Sequence, residues 1–76
     1  MKFEDFKDMK SGVVVRYTRH NGRDVVDDLP PIGTVMTRKV DWLDDGRCNR
    51  FEYEVDGVKD YHFFYHDEVE VIDEQA

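Results

Sequence analysis

The sequence predicts a mainly β domain of five short strands, preceded by one short helical turn. Three observations predict it. Residues 47–55 show the cleanest alternation in the chain, with Phe51, Tyr53 and Val55 on one side and Arg50, Glu52 and Glu54 on the other, the signature of a strand with one buried and one wet face. The dipeptides Asn21-Gly22, Asp45-Gly46 and Asp56-Gly57 are turn formers placed between apolar runs. Those runs are rich in valine, isoleucine and aromatic residues, which fit a pleated, half-buried surface.

Element by element, residues 2–10 space Phe3, Phe6 and Met9 three apart, one face of a short helix that Ser11-Gly12 stops. A helix this short has no stability alone, so its phenylalanines are expected to dock on an open end of the β core. Residues 13–18, VVVRYT, form the first strand. Residues 19–32 form a long loop that Pro30-Pro31 holds extended and that Val25-Val26 is expected to pin. Gly33 opens a second strand, TVMTRKVDWL, to about Leu43, and Asp44-Asp45-Gly46 turns the chain. The third strand runs from Arg47 to Val55 and the fourth from Lys59 to about Phe64. His66-Asp67-Glu68 reads as a polar break of one 3₁₀ turn, Val69–Ile72 as a last strand, and residues 74–76 as a frayed tail.

The Asp56-Gly57 hairpin admits two registers. A two-residue loop pairs Val55 with Val58, Phe51 with His62 and Tyr53 with Asp60. A three-residue loop with a glycine bulge pairs Phe51 with Tyr61 and keeps the aromatic rings together. Because a one-residue slip moves every side chain to the other face, aromatic burial favours the bulged loop.

The order of elements resembles the SH3-like small β-barrels, the Tudor, KOW and related families. GVVVRY at 12–17, GTV at 33–35, DDGR at 44–47, FEYEVDG at 51–57 and FFYHDEVEVI at 63–72 carry the likeness, over roughly residues 11–73. The resemblance implies a five-stranded barrel over residues 12–73 and a non-catalytic binding module, working through the face between the long first loop and the third turn. Tudor-like members hold methylated side chains there in an aromatic cage; no cage is carried over onto residues of this chain.

Composition sets the outer limits. A chain of 76 residues is one domain, residues 1–76, with a thin core. Its ten aromatic residues supply that core and set it apart from disordered chains. One cysteine, Cys48, excludes an internal disulfide and a CxxC zinc site, as expected of a reducing, cytoplasmic compartment. No apolar run is long enough for a signal peptide or a membrane span. The net charge of −7 is uneven: residues 52–76 hold one basic group, Lys59, against nine acidic ones. That balance speaks against nucleic acid, whose phosphates need Lys and Arg, and suits a basic protein partner.

Motifs for chemistry are sparse. Asp41–Glu52 matches a twelve-residue calcium loop at Asp41, Asp45, Gly46 and Glu52, but Leu43 offers no oxygen at the third position and the flanks read as strands. His62 and His66, four apart along an extended strand, stand about 13 Å from each other, too far for one ion. No metal, cofactor or catalytic set is expected. A barrel of this size fills its interior with side chains and keeps no cleft for an enzyme.

The candidate binding residues are Tyr17, Trp42, Tyr65, Asp67 and Glu68. Rings beside carboxylates suit a cationic side chain such as lysine, arginine or a methylated form. The expected function is a non-catalytic module that binds a protein segment with basic residues through a partly aromatic, acidic face. The alternative is a small acidic inhibitor or decoy, of the kind phages and mobile elements encode, that covers a basic host surface by charge. A nucleic-acid-binding barrel is the weaker third reading.

Overall fold

Alternation along the third strand sets the inside of the molecule. In the computed structural model, which describes residues 1–22, 29–44 and 46–73, the elements are α1 (Phe3–Lys7), β1 (Val14–Tyr17), β2 (Val35–Arg38), β3 (Cys48–Val55), β4 (Val58–Tyr65), a 3₁₀ turn (His66–Glu68) and β5 (Val69–Asp73). Asn49, Phe51 and Tyr53 of β3 are buried, together with Val15 and Tyr17 of β1, Met36 and Arg38 of β2, Phe64 of β4 and Val69 of β5. The expected class and the five strands with their N-terminal helical turn are therefore present.

All strand pairs are antiparallel, in the order β4-β3-β2-β1-β5. In hydrogen-bonding terms the sheet is open, with β4 and β5 at its edges among the described residues. It is also strongly curled. Tyr17 of β1 and Phe64 of β4, three strands apart in the sheet, meet edge to face at 5.1 Å. Phe51 lies 6.0 Å from Phe64, and Phe6 caps the same cluster 6.0 Å from Phe51. The two edges are consecutive in the chain, and the 3₁₀ turn alone joins them.

Three expectations need correction. The helix covers Phe3–Lys7 rather than residues 2–10; Phe6 and Met9 are buried, while Phe3 stays exposed with its ring edge against His66. The second strand ends at Arg38, not Leu43, because the chain is drawn out of the sheet by the side-chain bonds described below. The hairpin takes the two-residue register, with Val55 opposite Val58, Phe51 opposite His62 and Tyr53 opposite Asp60. Asp56 and Gly57 sit at φ of 53° and 79°, the mirror-image turn whose twist matches the strands. The aromatic rings do not gather on one face because Tyr61 has another partner: the Arg50 guanidinium stacks 3.8 Å from its ring centroid on the outer face. The suggested anchoring by Val25-Val26 and the tail at 74–76 lie outside the described residues.

Candidate functional site

The segment Val40–Asp44, between β2 and β3, is built by short polar side chains that bond their own backbone. Asp41 accepts the Leu43 amide at 2.8 Å, and its carbonyl accepts the Asp44 amide at 3.0 Å. Asp44 in turn accepts the Asp41 amide at 3.1 Å and, from β3, the Arg50 amide at 3.1 Å. This is the Asx-type competition with strand pairing that aspartate favours. The Val40 amide is tied to the Ser11 hydroxyl at 2.9 Å.

Two arginines lock the turn, Arg38 from the core side of the sheet and Arg50 from its outer face. Arg38 occupies a core-facing position of β2 and is only 3% exposed. Its guanidinium donates to the carbonyls of Met9 (3.2 Å), Lys39 (2.9 Å) and Arg50 (3.2 Å) and to the Asp44 carboxylate (2.7 Å). A buried cation is tolerated because four of its five N–H groups find acceptors, one of them a carboxylate. Arg50 donates to Asp41 at 2.6 Å and to Glu52 at 3.1 Å while lying over Tyr61. The Leu43 amide, then the Arg50 guanidinium, hold the Asp41 carboxyl below its ordinary value, and the bond to Asp41 raises Arg50.

This fixed turn carries apolar side chains outward. Trp42 is 90% exposed, and its neighbours Val40 and Leu43 are 55% and 54% exposed. An indole covers roughly 150–250 Å² when buried, so a rigid turn that holds it in water leaves a large contact area unused.

The five residues singled out in the sequence part company here. Trp42 stands on the β2–β3 turn, almost wholly exposed. The other four belong to the root of the long loop. Tyr17 is a core residue against Phe64. Glu68 is fully buried, accepting the amides of Tyr65 (2.9 Å) and Asn21 (3.3 Å) and facing His20 Nδ1 at 3.3 Å. Its carbonyl accepts the Thr18 amide at 2.8 Å. Asp67 accepts from the Asn21 side chain at 3.3 Å, and Tyr65 is half-buried opposite Cys48. Tyr17 and Glu68 are thus buried at the loop root, Glu68 tying the loop to the 3₁₀ turn.

Sequence reasoning missed Arg38, Asp41, Asp44 and Arg50 as a set. Asp41 was weighed as a calcium ligand, while its carboxylate goes to Arg50 and the Leu43 amide; Asp45 lies outside the described residues. The available signal was the position of Arg38, two residues after Met36 on the inward side of β2. Among the described residues no three His, Cys, Asp or Glu side chains are grouped to hold a metal ion, and no helix is long and apolar enough to cross a membrane. Comparison with protein-family models, curated proteins and solved structures finds no match.

Proposed function

We propose that this protein is a non-catalytic interaction module that binds a protein partner through the Trp42 turn. One observation carries the reading: an indole 90% exposed on a turn held by two aspartate–arginine pairs. Interfaces concentrate their energy in a few aromatic anchors, and a turn already rigid loses little further entropy on binding. The partner supplies an apolar recess for Trp42 and Leu43. The net charge of −7 favours encounter with a basic surface.

The chain's only tryptophan is the probe. A partner captured from lysate and purified should shift Trp42 fluorescence to the blue. Trp42→Ala should weaken its binding about 30-fold or more, the effect of removing an anchor worth roughly 2 kcal/mol, while circular dichroism stays unchanged. A partner that binds Trp42→Ala normally, and leaves at moderate salt, would instead support the charge-driven decoy.

A further inference from the structure

We infer that the outer edge of β4, which pairs with no strand among the described residues, is a self-association surface, on which a second copy of this chain adds its own β4 antiparallel to form a continuous sheet across a two-fold axis. This goes beyond the Trp42 reading and uses different residues.

The direction of the backbone groups comes first. A two-residue hairpin makes Val55 and Val58 a hydrogen-bonded pair, and bonded and non-bonded pairs then alternate along the ladder. The pairs of Val58, Asp60, His62 and Phe64 point their N–H and C=O groups toward β3. Lys59, Tyr61 and Phe63 point theirs away from β3, at the outer edge; Tyr65 lies on the same side, with its amide already taken by Glu68. Two independent contacts agree. The Tyr61 amide bonds its own neighbour's carboxylate, Asp60, at 2.8 Å, not β3. Opposite Phe63, Arg50 spends its N–H on Asp44 and its C=O on the Lys39 amide.

The two edges of the sheet differ. β5 has five residues, a register break beside Val14 and Val15, and acidic side chains at Glu70 and Asp73, the usual devices that blunt an edge. β4 has eight residues paired to β3 without a break, and its first four, Val58–Tyr61, are exposed on both faces. Its local protection is Lys59 and the Asp60 carboxylate folded onto the Tyr61 amide.

Charge then selects the partner and the register. Residues opposite one another across a two-fold axis share a face, so the axis passes through a residue of β4. Centring on Lys59 or Asp60 sets like charges face to face. Centring on His62 sets Asp60 against the buried Phe64. Centring on Phe63 leaves Val58–Asp60 opposite the 3₁₀ turn rather than a strand. Centring on Tyr61 makes Tyr61 a hydrogen-bonded pair with its copy and places Asp60 opposite His62 twice, each in a close, non-bonded pair. In that register the Tyr61 amide passes from Asp60 to the copy's Tyr61 carbonyl, and the freed carboxylate meets an imidazole. Lys59 lies opposite Phe63, where its ammonium and stem can rest on the ring.

Sedimentation velocity from micromolar to millimolar protein tests this. The mass should rise from 9.1 kDa toward twice that value in the upper range. Tyr61→Pro removes an amide that makes no bond to β3 and fits an edge position; it should stay monomeric at every concentration. A mixed sample of isotope-labelled and unlabelled wild-type chains should show an intermolecular contact between the α-protons of Asp60 and His62, a reading that does not depend on how the variant folds. Wild type that stays monomeric at millimolar concentration, or a dimer lacking that contact, overturns the proposal.

Discussion

At the scale of single residues, Arg38 and Arg50 explain why the turn that carries an exposed tryptophan is held in one place. Arginine alone among the side chains offers five donors in a planar fork, and Arg38 uses its fork to join the segment after α1, the end of β2, strand β3 and the Trp42 turn. Arg50 does the same on the outer face with Asp41, Glu52 and the Tyr61 ring. The turn is therefore sensitive to acid. Asp41 has a folded pKa below its ordinary 3.8, so the unfolded chain takes up its proton first as pH falls. Its contribution to stability is fully present above the unfolded value and is lost as pH drops through the folded one. The protection factor of the Leu43 amide, the exchange rate relative to that of an unfolded chain at the same pH, should fall only below the ordinary aspartate range. In Asp41→Asn the same amide should exchange faster already at neutral pH.

At the scale of elements, the β3–β4 hairpin and the 3₁₀ turn decide which rings face in. A two-residue turn with both central residues at positive φ outweighed the gathering of aromatic side chains, because its twist matches the strands it joins. Gly57 has open space around it, so a substitution there meets backbone strain rather than a clash. Gly57→Val should cost about 1–2 kcal/mol through the left-handed conformation alone, measured by urea denaturation. The α-protons of Glu54 and Lys59 should remain in contact in the variant if the register holds. Glu68 plays the corresponding part for the long loop. One buried carboxylate fastens Tyr65 on one side and His20 and Asn21 on the other. Glu68→Ala strands the Tyr65 and Asn21 amides, and a cost of about 1–3 kcal/mol is expected for each buried donor left unmet. The Asn21 and Tyr65 amides should lose protection first.

At the scale of the whole molecule, the curl of the sheet is held by few rings. Phe6, Phe51, Phe64 and Tyr17 form a chain of contacts at 5.1–6.0 Å that ties α1, β3, β4 and β1 together. Phe64 stands at its centre and is fully buried. Phe64→Ala should cost about 3–5 kcal/mol. A domain of this size has only about 4–11 kcal/mol at roughly 0.05–0.15 kcal/mol per residue, so the variant should melt far below the wild type in a thermal scan, whereas Trp42→Ala should change stability by no more than about 0.5 kcal/mol. The contrast between two large aromatic residues, one at the centre and one at the surface, measures how the fold divides its rings between packing and binding.

Sequence by itself determined the mainly β class, the helical turn, the strand order along the chain, the 3₁₀ break and the inward side of β3. Each of these rests on local patterns: alternation, turn dipeptides and β-branched runs act over a few residues and need no distant partner. The tertiary structure alone decided the rest. That the second strand stops at Arg38 depends on an arginine meeting Asp44 and the carbonyls of Met9 and Arg50, groups far apart in sequence that meet only once the sheet has curled. That Tyr17 and Glu68 are structural while Trp42 is exposed follows from which side chains the curl encloses. Composition gives the number of rings available but not their sorting, since burial is a property of the closed surface and not of any segment.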